Sequence, residues 1–145
     1  RTGWVELTVG VLAQQGGYRA LSPSITVAAG GVLTLEEKFQ GGTGVNLTPP
    51  PEDIITAEQT TQIKADICAV AKALGVEGYA RVDVIFNTKP GQLVVIEAKT
   101  LPGLTPSTVL YHQALAEPTP LNPTQFLTKI IAGARAAPSR QNKTA

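Results

Sequence analysis

Residues 79–99 read YARVDVIFNTKPGQLVVIEAK, and the expected architecture of the chain starts from these residues. Two runs rich in β-branched residues, 79–86 and 93–99, flank the turn-like sequence 87–91, which predicts a β-hairpin. Side chains alternate across a strand. The first strand therefore has one wholly apolar face, which must point to the core and is formed by Ala80, Val82, Val84 and Phe86.

The opposite face of the predicted hairpin is charged. A register that pairs Asp83 with Glu97 also pairs Arg81 with Lys99, and it turns the residues Val94, Ile96 and Ala98 to the core side. Two carboxylates directly opposite each other repel, and such a pair usually has a cation between them. Two interpretations stay open: a site for Mg²⁺, which prefers oxygen ligands, or a solvated face on which Arg81 and Lys99 neutralise the acids.

Before the hairpin, the sequence predicts a helix that begins at Thr56 and ends at Gly75. Thr56 followed by Gln59 matches a capping box, and a glycine is typical directly after a helix. The apolar residues within this helix are spaced so that they form one buried face. This face is formed by Ile63, Ile67, Val70, Ala71 and Leu74.

Toward the N-terminus, three extended runs are predicted at 4–13, 18–27 and 32–39. The glycine-rich residues 40–44 predict a flexible loop. The order of elements is strands, a helix, two strands and further helices near 109–115 and 123–134. This order predicts an α+β domain, a mostly antiparallel β-sheet with helices packed on one face.

The connection from the second hairpin strand to the next helix is residues 100–108, sequence TLPGLTPST. Gly103 allows a ligand to approach the backbone N–H closely. Ser107 or Thr108 is expected to cap the helix, whose N-terminus favours a carboxylate or phosphate. As a bare motif the segment also fits an ordinary capped turn.

Composition limits the classes of function. The chain has 145 residues, 43% of them apolar, which suits one domain with a core. Only 16% are charged, against about 25% in typical domains, so part of the surface is expected to contact other protein. A net charge of +1 gives no electrostatic basis for binding nucleic acid or an anionic membrane.

The cysteine count, the length of the apolar runs and the methionine count limit the kinds of protein that this chain can be. The single cysteine, Cys68, excludes an intramolecular disulfide framework. No run approaches 18 consecutive apolar residues, so no membrane span is predicted. Methionine is absent, from which we expect a piece of a longer protein or a processed chain.

Two motifs of the hairpin region together resemble the D-alanine–D-alanine ligase family of the ATP-grasp superfamily. Residues 78–83, GYARVD, resemble the family pattern G-(Y/W)-x-R-x-D, and residues 95–105, VIEAKTLPGLT, resemble L-E-x-N-T-x-P-G-M-T. Weaker likenesses lie at 5–12, 36–43 and 48–50. The resemblance implies a C-terminal ATP-grasp subdomain over 1–135. The family's N-terminal substrate domain and central ATP lid have no counterpart in these residues. Residues 136–145 show no hydrophobic pattern, which predicts a flexible tail.

The family joins two D-alanines with ATP through an acyl phosphate, in peptidoglycan precursor synthesis. The resemblance implies that Glu6 and Lys38 hold ATP and that Asp83 and Glu97 bind Mg²⁺. It also implies that Arg81 and the N–H of Gly103 stabilise an oxyanion. Ser107 and Thr108 are then candidates for binding the second substrate, and Lys99 for contacting the phosphates.

Two substitutions depart from the family pattern. Lys99 replaces a metal-binding Asn, and an ammonium cannot ligate Mg²⁺. Phe39 replaces a Tyr, as in ligases that accept D-lactate. The expected function is therefore the C-terminal part of a D-alanine–D-alanine ligase, with the isolated chain inactive. The alternatives are a non-catalytic ATP-grasp module or a ligase for D-lactate or another second substrate.

The expected partners and location follow from the same resemblance. The substrates are small molecules, D-alanine and in the alternative D-lactate, with no nucleic acid and no membrane as partner. The remaining domains of the same protein and a second copy in a homodimer are the protein contacts that we expect. The expected location is the cytoplasm, or the plastid stroma in a eukaryote.

Overall fold

The structure is a computed structural model, which describes residues 3–27 and 45–136. Within these ranges six strands form one antiparallel sheet in the order β4-β3-β1-β5-β6, and β2 pairs with the far end of β1. The strands are β1 (Trp4–Gln14), β2 (Gly17–Ala20), β3 (Ser24–Val27), β4 (Val45–Leu47), β5 (Tyr79–Asn87) and β6 (Gln92–Lys99). The helices are α1 (Ala57–Leu74), α2 (Val109–Leu115) and α3 (Pro123–Ala136). The mostly antiparallel sheet predicted from the sequence is confirmed.

The centre of the sheet is the pairing of β1 with β5. Nine residue pairs run from Trp4↔Asn87 to Leu12↔Tyr79. The apolar face predicted for β5 is confirmed, because all four of its side chains have no solvent exposure: Ala80, Val82, Val84 and Phe86. Leu7, Val9 and Val11 of β1 lie on the same face and join the same core.

Helix α1 covers this apolar face. Thr56 and Gln59 form the predicted capping box, with N–H···O distances of 3.2 and 3.0 Å. Ile63, Ile67 and Ala71 are fully buried against the sheet, and Gly75 ends the helix in the left-handed conformation with φ of 62°. The prediction that Leu74 belongs to the buried face is wrong, since Leu74 is 59% exposed.

Helices α2 and α3 lie against the opposite face of the sheet, so the helices do not all share one face as the sequence predicts. The decisive residue is Gly10 of β1, which pairs with Arg81. A Cβ at Gly10 would lie 2.6 Å from Leu110 Cδ2 of α2, so the missing side chain lets α2 approach. A second core then forms around α2 and α3, with Leu12, Leu21, Leu110, Tyr111, Ala114, Leu121 and Phe126.

The hairpin register agrees with the prediction only at one end. Arg81 pairs with Lys99 and Asp83 with Glu97, but the register then shifts between Asp83 and Val84. Val84 therefore pairs with Val95, and Ile96 is the extra residue. The prediction that Val94 and Ile96 face the core is wrong, because the bulge turns the strand. Both are exposed, at 40% and 54%, while Leu93 packs against the core.

Several sequence predictions lie outside the described residues. These are the extended run 32–39 with Lys38 and Phe39, the whole predicted loop 40–44, and the tail beyond residue 136. In the part of the chain that is described, no helix is long and apolar enough to cross a membrane.

Candidate functional site

Four charged side chains meet on the sheet face that α2 shares. They form what we call the Asp83 cluster: Arg81, Asp83, Glu97 and Lys99. β5 and β6 supply two each, and strand alternation together with the observed register places all four on the same face. Their contacts confirm that the four side chains gather, as the charged face of the hairpin predicts.

Asp83 is the centre of the cluster. The Arg81 guanidinium makes a bidentate hydrogen bond to Asp83. Its Nε donates to Oδ1 at 3.1 Å and its Nη2 donates to Oδ2 at 2.9 Å. The Thr8 hydroxyl of β1 donates to Oδ1 at 2.9 Å, and Lys99 Nζ lies 3.6 Å from Oδ2. Burial raises the pKa of Asp83, but the hydrogen bonds from Arg81 and Thr8 and the charges of Arg81 and Lys99 outweigh it. The pKa of Asp83 is therefore lowered from its ordinary value of 3.8, and the side chain is a carboxylate at neutral pH.

Lys99 joins the second carboxylate to the first. Its Nζ lies 2.7 Å from Glu97 Oε1 as well as 3.6 Å from Asp83 Oδ2. The Lys99 and Glu97 side chains are 44% and 49% exposed, whereas that of Asp83 is 12% exposed. The cluster is therefore anchored at its inner end and open to solvent at its outer end.

Strand β1 extends the site beyond the hairpin. Glu6, Thr8 and Gly10 pair with Ile85, Asp83 and Arg81, and so lie on the same face as the cluster. Glu6 is exposed there. Glu6, the residue that the resemblance implies for the ribose, thus shares a sheet face with the residues implied for the phosphates and the metal.

A buried side chain from α2 holds β1 in place. At residues 8–10 the neighbour of β1 changes from β3 to β2. Gln113 fills this gap, because its Oε1 accepts from Gly10 N at 2.8 Å and its Nε2 donates to the Thr8 carbonyl at 2.8 Å. Gln113 has no solvent exposure, and it fixes the strand that carries Thr8, the partner of Asp83.

The connection 100–108 lies between the end of β6 and the start of α2, and two tyrosines tie it down. The Tyr79 hydroxyl donates to the Pro102 carbonyl at 3.3 Å, and the Tyr111 hydroxyl donates to the Leu104 carbonyl at 3.3 Å. Between these anchors Gly103 is exposed, and apart from Gly103 itself and its two chain neighbours no residue has an atom within 4 Å of the place its Cβ would take. A ligand therefore has room to approach the Gly103 backbone.

Thr108 is the N-cap residue of α2, one of the two positions that the sequence predicts. Its side chain makes no capping hydrogen bond. Ser107, directly before it, is exposed. Both candidate residues for the second substrate thus lie at the entry to α2, on the face of the Asp83 cluster, whereas Lys38 is outside the described residues.

A divalent cation between Asp83 and Glu97 does not fit the residues as they stand. A carboxylate offers about four acceptor positions, and Asp83 meets Thr8, two atoms of Arg81, and Lys99. The Lys99 ammonium lies within 4 Å of both acids and places a positive charge where a metal would lie. Among residues 3–27 and 45–136, no three His, Cys, Asp or Glu side chains gather as metal ligands.

Sequence reasoning misses four residues that build the site: Thr8, Tyr79, Gln113 and Tyr111. Strand alternation could have found Thr8, which lies two residues from Glu6, and Tyr79, which lies two residues from Arg81. Gly10 within a strand was a further signal, since glycine there often marks a close approach of another element. Gln113 has no local signal, because its partners are more than 100 residues away in sequence.

Comparison with known proteins adds the family. A family model described as "D-ala D-ala ligase C-terminus" matches residues 2–132. The chain belongs to this family. A D-alanine–D-alanine ligase of Nitratidesulfovibrio vulgaris is 34% identical to this family member over 113 residues, which are 77% of the chain and 35% of the relative.

Solved structures of D-alanine ligases share the fold. The D-Ala:D-Ser ligase VanG of Enterococcus faecalis matches with a TM-score of 0.69 at 24% identity, over 90% of this chain and 36% of that one. A D-alanine–D-alanine ligase of Bacillus anthracis, complexed with ATP, matches with a TM-score of 0.65 at 24% identity, over 90% and 38%. The described sheet and helices are thus the C-terminal part of the ATP-grasp fold. This ligase-family chain spans about a third of the length of the curated relatives that it matches.

Proposed function

We propose that this chain is the C-terminal part of an ATP-dependent carbon–nitrogen ligase of the D-alanine–D-alanine type. The observation that carries the proposal is the gathering of Arg81, Asp83, Glu97 and Lys99 on one sheet face beside the connection to α2. Membership of the family supports the reaction class.

The proposed reaction has two steps. A carboxylate oxygen of the first D-alanine attacks the γ-phosphorus of ATP, which releases ADP and leaves an acyl phosphate. The amine of the second D-alanine then attacks the carbonyl carbon, and the tetrahedral intermediate expels phosphate to give the dipeptide. Both steps need charge stabilisation and positioning more than a nucleophilic side chain.

Arg81 is the proposed donor to the oxyanion of that intermediate. Asp83 engages two of the five N–H donors of the guanidinium and orients its plane. The Arg81 side chain is 27% exposed, so the remaining donors can reach a ligand on the open side. The backbone N–H of Gly103 is the proposed second donor, because the space that a side chain would take at this residue is open.

The remaining roles concern the ends of the substrates. We assign Glu6 to bind the ATP ribose, Lys38 to contact the γ-phosphate and Lys99 to contact a phosphate oxygen. The carboxylate of the second D-alanine is assigned to Ser107 and Thr108 at the entry to α2, where the helix N-terminus favours an anion. A Mg²⁺ ion held between Asp83 and Glu97 is left out, because the Lys99 ammonium already lies between them.

The test is an assay of the protein as it is encoded, with any sequence on either side of residues 1–145. We expect phosphate release that requires both ATP and D-alanine, with the dipeptide formed in equal amount. The isolated 145-residue chain should release none. An encoded protein without D-alanine-dependent turnover would contradict the proposal, and parallel assays with D-serine and D-lactate would identify the second substrate.

A second candidate function is a non-catalytic ATP-grasp module, and the position of Lys99 favours it. The variant Lys99→Asn separates the two in the encoded protein. Activity that appears only in the variant supports the non-catalytic module, whereas activity in the natural protein that the variant does not improve supports the ligase. The cytoplasmic location and the homodimer stay predictions.

A further inference from the structure

The Asp83 cluster contains its own cation. Asp83 and Glu97 are directly opposite each other on neighbouring strands, an arrangement of like charges that destabilises a sheet. Lys99 lies within 4 Å of both acids, at 2.7 Å from Glu97 Oε1 and 3.6 Å from Asp83 Oδ2. The repulsion is therefore offset by an ammonium group that the chain itself supplies.

The formal charges of the four side chains are balanced without an added ion, and the acceptor positions of Asp83 are occupied. Two carboxylates face two cations, Arg81 and Lys99. Asp83 Oδ1 accepts from Thr8 and Arg81, and Oδ2 accepts from Arg81 and faces Lys99. A divalent cation at this place would have to displace the ammonium and would be repelled by it while it stayed nearby.

We infer that the Lys99 ammonium is a built-in replacement for a divalent cation between Asp83 and Glu97, so that this pair of acids does not bind metal. Lysine has three N–H donors, and the Lys99 side chain is 44% exposed. It can therefore hold both acids and still offer a donor to an anionic oxygen of a phosphate-bearing ligand. This deepens the proposed function, since it assigns the phosphate-facing charge of that site to a side chain.

The test is a titration with Mn²⁺ alone, followed by electron paramagnetic resonance, on the encoded protein at pH 7. We expect the natural protein and Lys99→Arg to bind no Mn²⁺ through this site, and Glu97→Gln to leave any background binding unchanged. Lys99→Asn removes the ammonium and adds an amide oxygen, so we expect its affinity for Mn²⁺ to rise by about tenfold or more. The double variant Lys99→Asn/Glu97→Gln should lose this gain.

Two results would overturn the inference. The first is Mn²⁺ binding by the natural protein that Glu97→Gln weakens, because a metal would then bind beside Lys99. The second is a folded Lys99→Asn variant, checked by circular dichroism, with no gain in affinity. If that variant does not fold, the comparison of the natural protein with Glu97→Gln decides alone.

The titration contains neither nucleotide nor amino acid, so its failure is distinguishable from failure of the proposed function. An active ligase that binds Mn²⁺ through Glu97 would overturn only this inference. An inactive protein with the expected Mn²⁺ pattern would overturn only the proposed function.

Discussion

Two carboxylates in this molecule are each paired with an arginine and a lysine, and they differ in where those partners come from. Asp83 has Arg81 and Lys99, which lie on its own and the adjacent strand. Glu117 has Arg19 of β2 and Lys64 of α1, with a hydrogen bond from Ser22. We call the second group, Glu117 with Arg19, Lys64 and Ser22, the Glu117 cluster.

The Glu117 cluster is closed and connects distant parts of the chain. The Glu117 side chain is 4% exposed. Its Oε1 and Oε2 accept hydrogen bonds from Lys64 Nζ at 2.8 and 3.0 Å. Its partners are 53 to 98 residues away in sequence. The Asp83 cluster has the same kinds of charge, but Glu97 and Lys99 face solvent. Removing one partner of a buried ion pair destabilises a fold, whereas an open cluster on one sheet face has capacity left for a ligand.

The largest effect on stability is expected from Glu117→Gln. The change leaves Lys64 and Arg19 without their counter-charge, which should lower the free energy of unfolding by about 3 kcal/mol. The matched variant Glu97→Gln removes an exposed acid, so we expect a change of less than about 0.5 kcal/mol. Urea unfolding of the two variants measures this, and equal losses would remove the distinction between the clusters.

The pH dependence of the free energy of unfolding gives a second test of the Glu117 cluster. Burial raises the pKa of Glu117, but Lys64, Ser22 and Arg19 lower it overall from its ordinary value of 4.5. The stabilisation is thus complete above pH 4.5 and is lost as the pH falls through the lowered pKa. The difference in stability between the natural protein and Glu117→Gln should narrow below pH 4.5 and stay constant from pH 6 to 8.

The next largest effect is expected from Gln113→Leu, which removes the amide that holds β1. Gly10 N–H and the Thr8 carbonyl would lose buried partners, at a cost of about 2 kcal/mol. The control is His112→Leu at the adjacent exposed position of α2, for which we expect a change of less than about 0.5 kcal/mol. Thermal unfolding that finds the two variants equal would contradict the role of Gln113.

A smaller effect is expected from Thr8→Val, which keeps the shape but deletes the hydroxyl that donates to Asp83. We expect the free energy of unfolding to fall by about 1 kcal/mol. The pKa of Asp83 should rise, because one of the hydrogen bonds that lower it is gone. Titration of the Asp83 carboxyl carbon by NMR measures the pKa, and an unchanged or lower value would count against the site geometry.

The smallest stability change is expected from Lys99→Met. Both partners of its 2.7 Å contact are almost half exposed, and such pairs add little. We expect less than about 0.5 kcal/mol, whereas Lys64→Met removes the lysine of the Glu117 cluster and should cost about 1.5 kcal/mol. If urea unfolding shows that Lys99→Met loses more stability than Lys64→Met, the Asp83 cluster stabilises the fold rather than binding a ligand.

The sequence predicted the features that depend on residues close together in the chain, and it missed those that depend on distant residues. The capping box of α1, the hairpin turn and the pairing of Asp83 with Glu97 depend on residues close in sequence, and the structure agrees with all three. The bulge beside Asp83 was not predicted, since no glycine or proline marks it. Nor was the approach of α2 to Gly10, because it depends on packing across 100 residues. The gathering of the four charges and the misfit of Lys99 as a metal ligand were predictable, but the contact of the Lys99 ammonium with both acids depends on side-chain geometry.

The most direct test compares the two arginines, one from each cluster, in the encoded protein. Arg81→Lys keeps the charge but loses the bidentate hydrogen bond to Asp83, and we expect D-alanine-dependent phosphate release to fall by about 10²-fold or more. Arg19→Lys makes the same chemical change in the Glu117 cluster and should keep the natural rate. Natural activity in Arg81→Lys, or an equal loss in Arg19→Lys, would contradict the account.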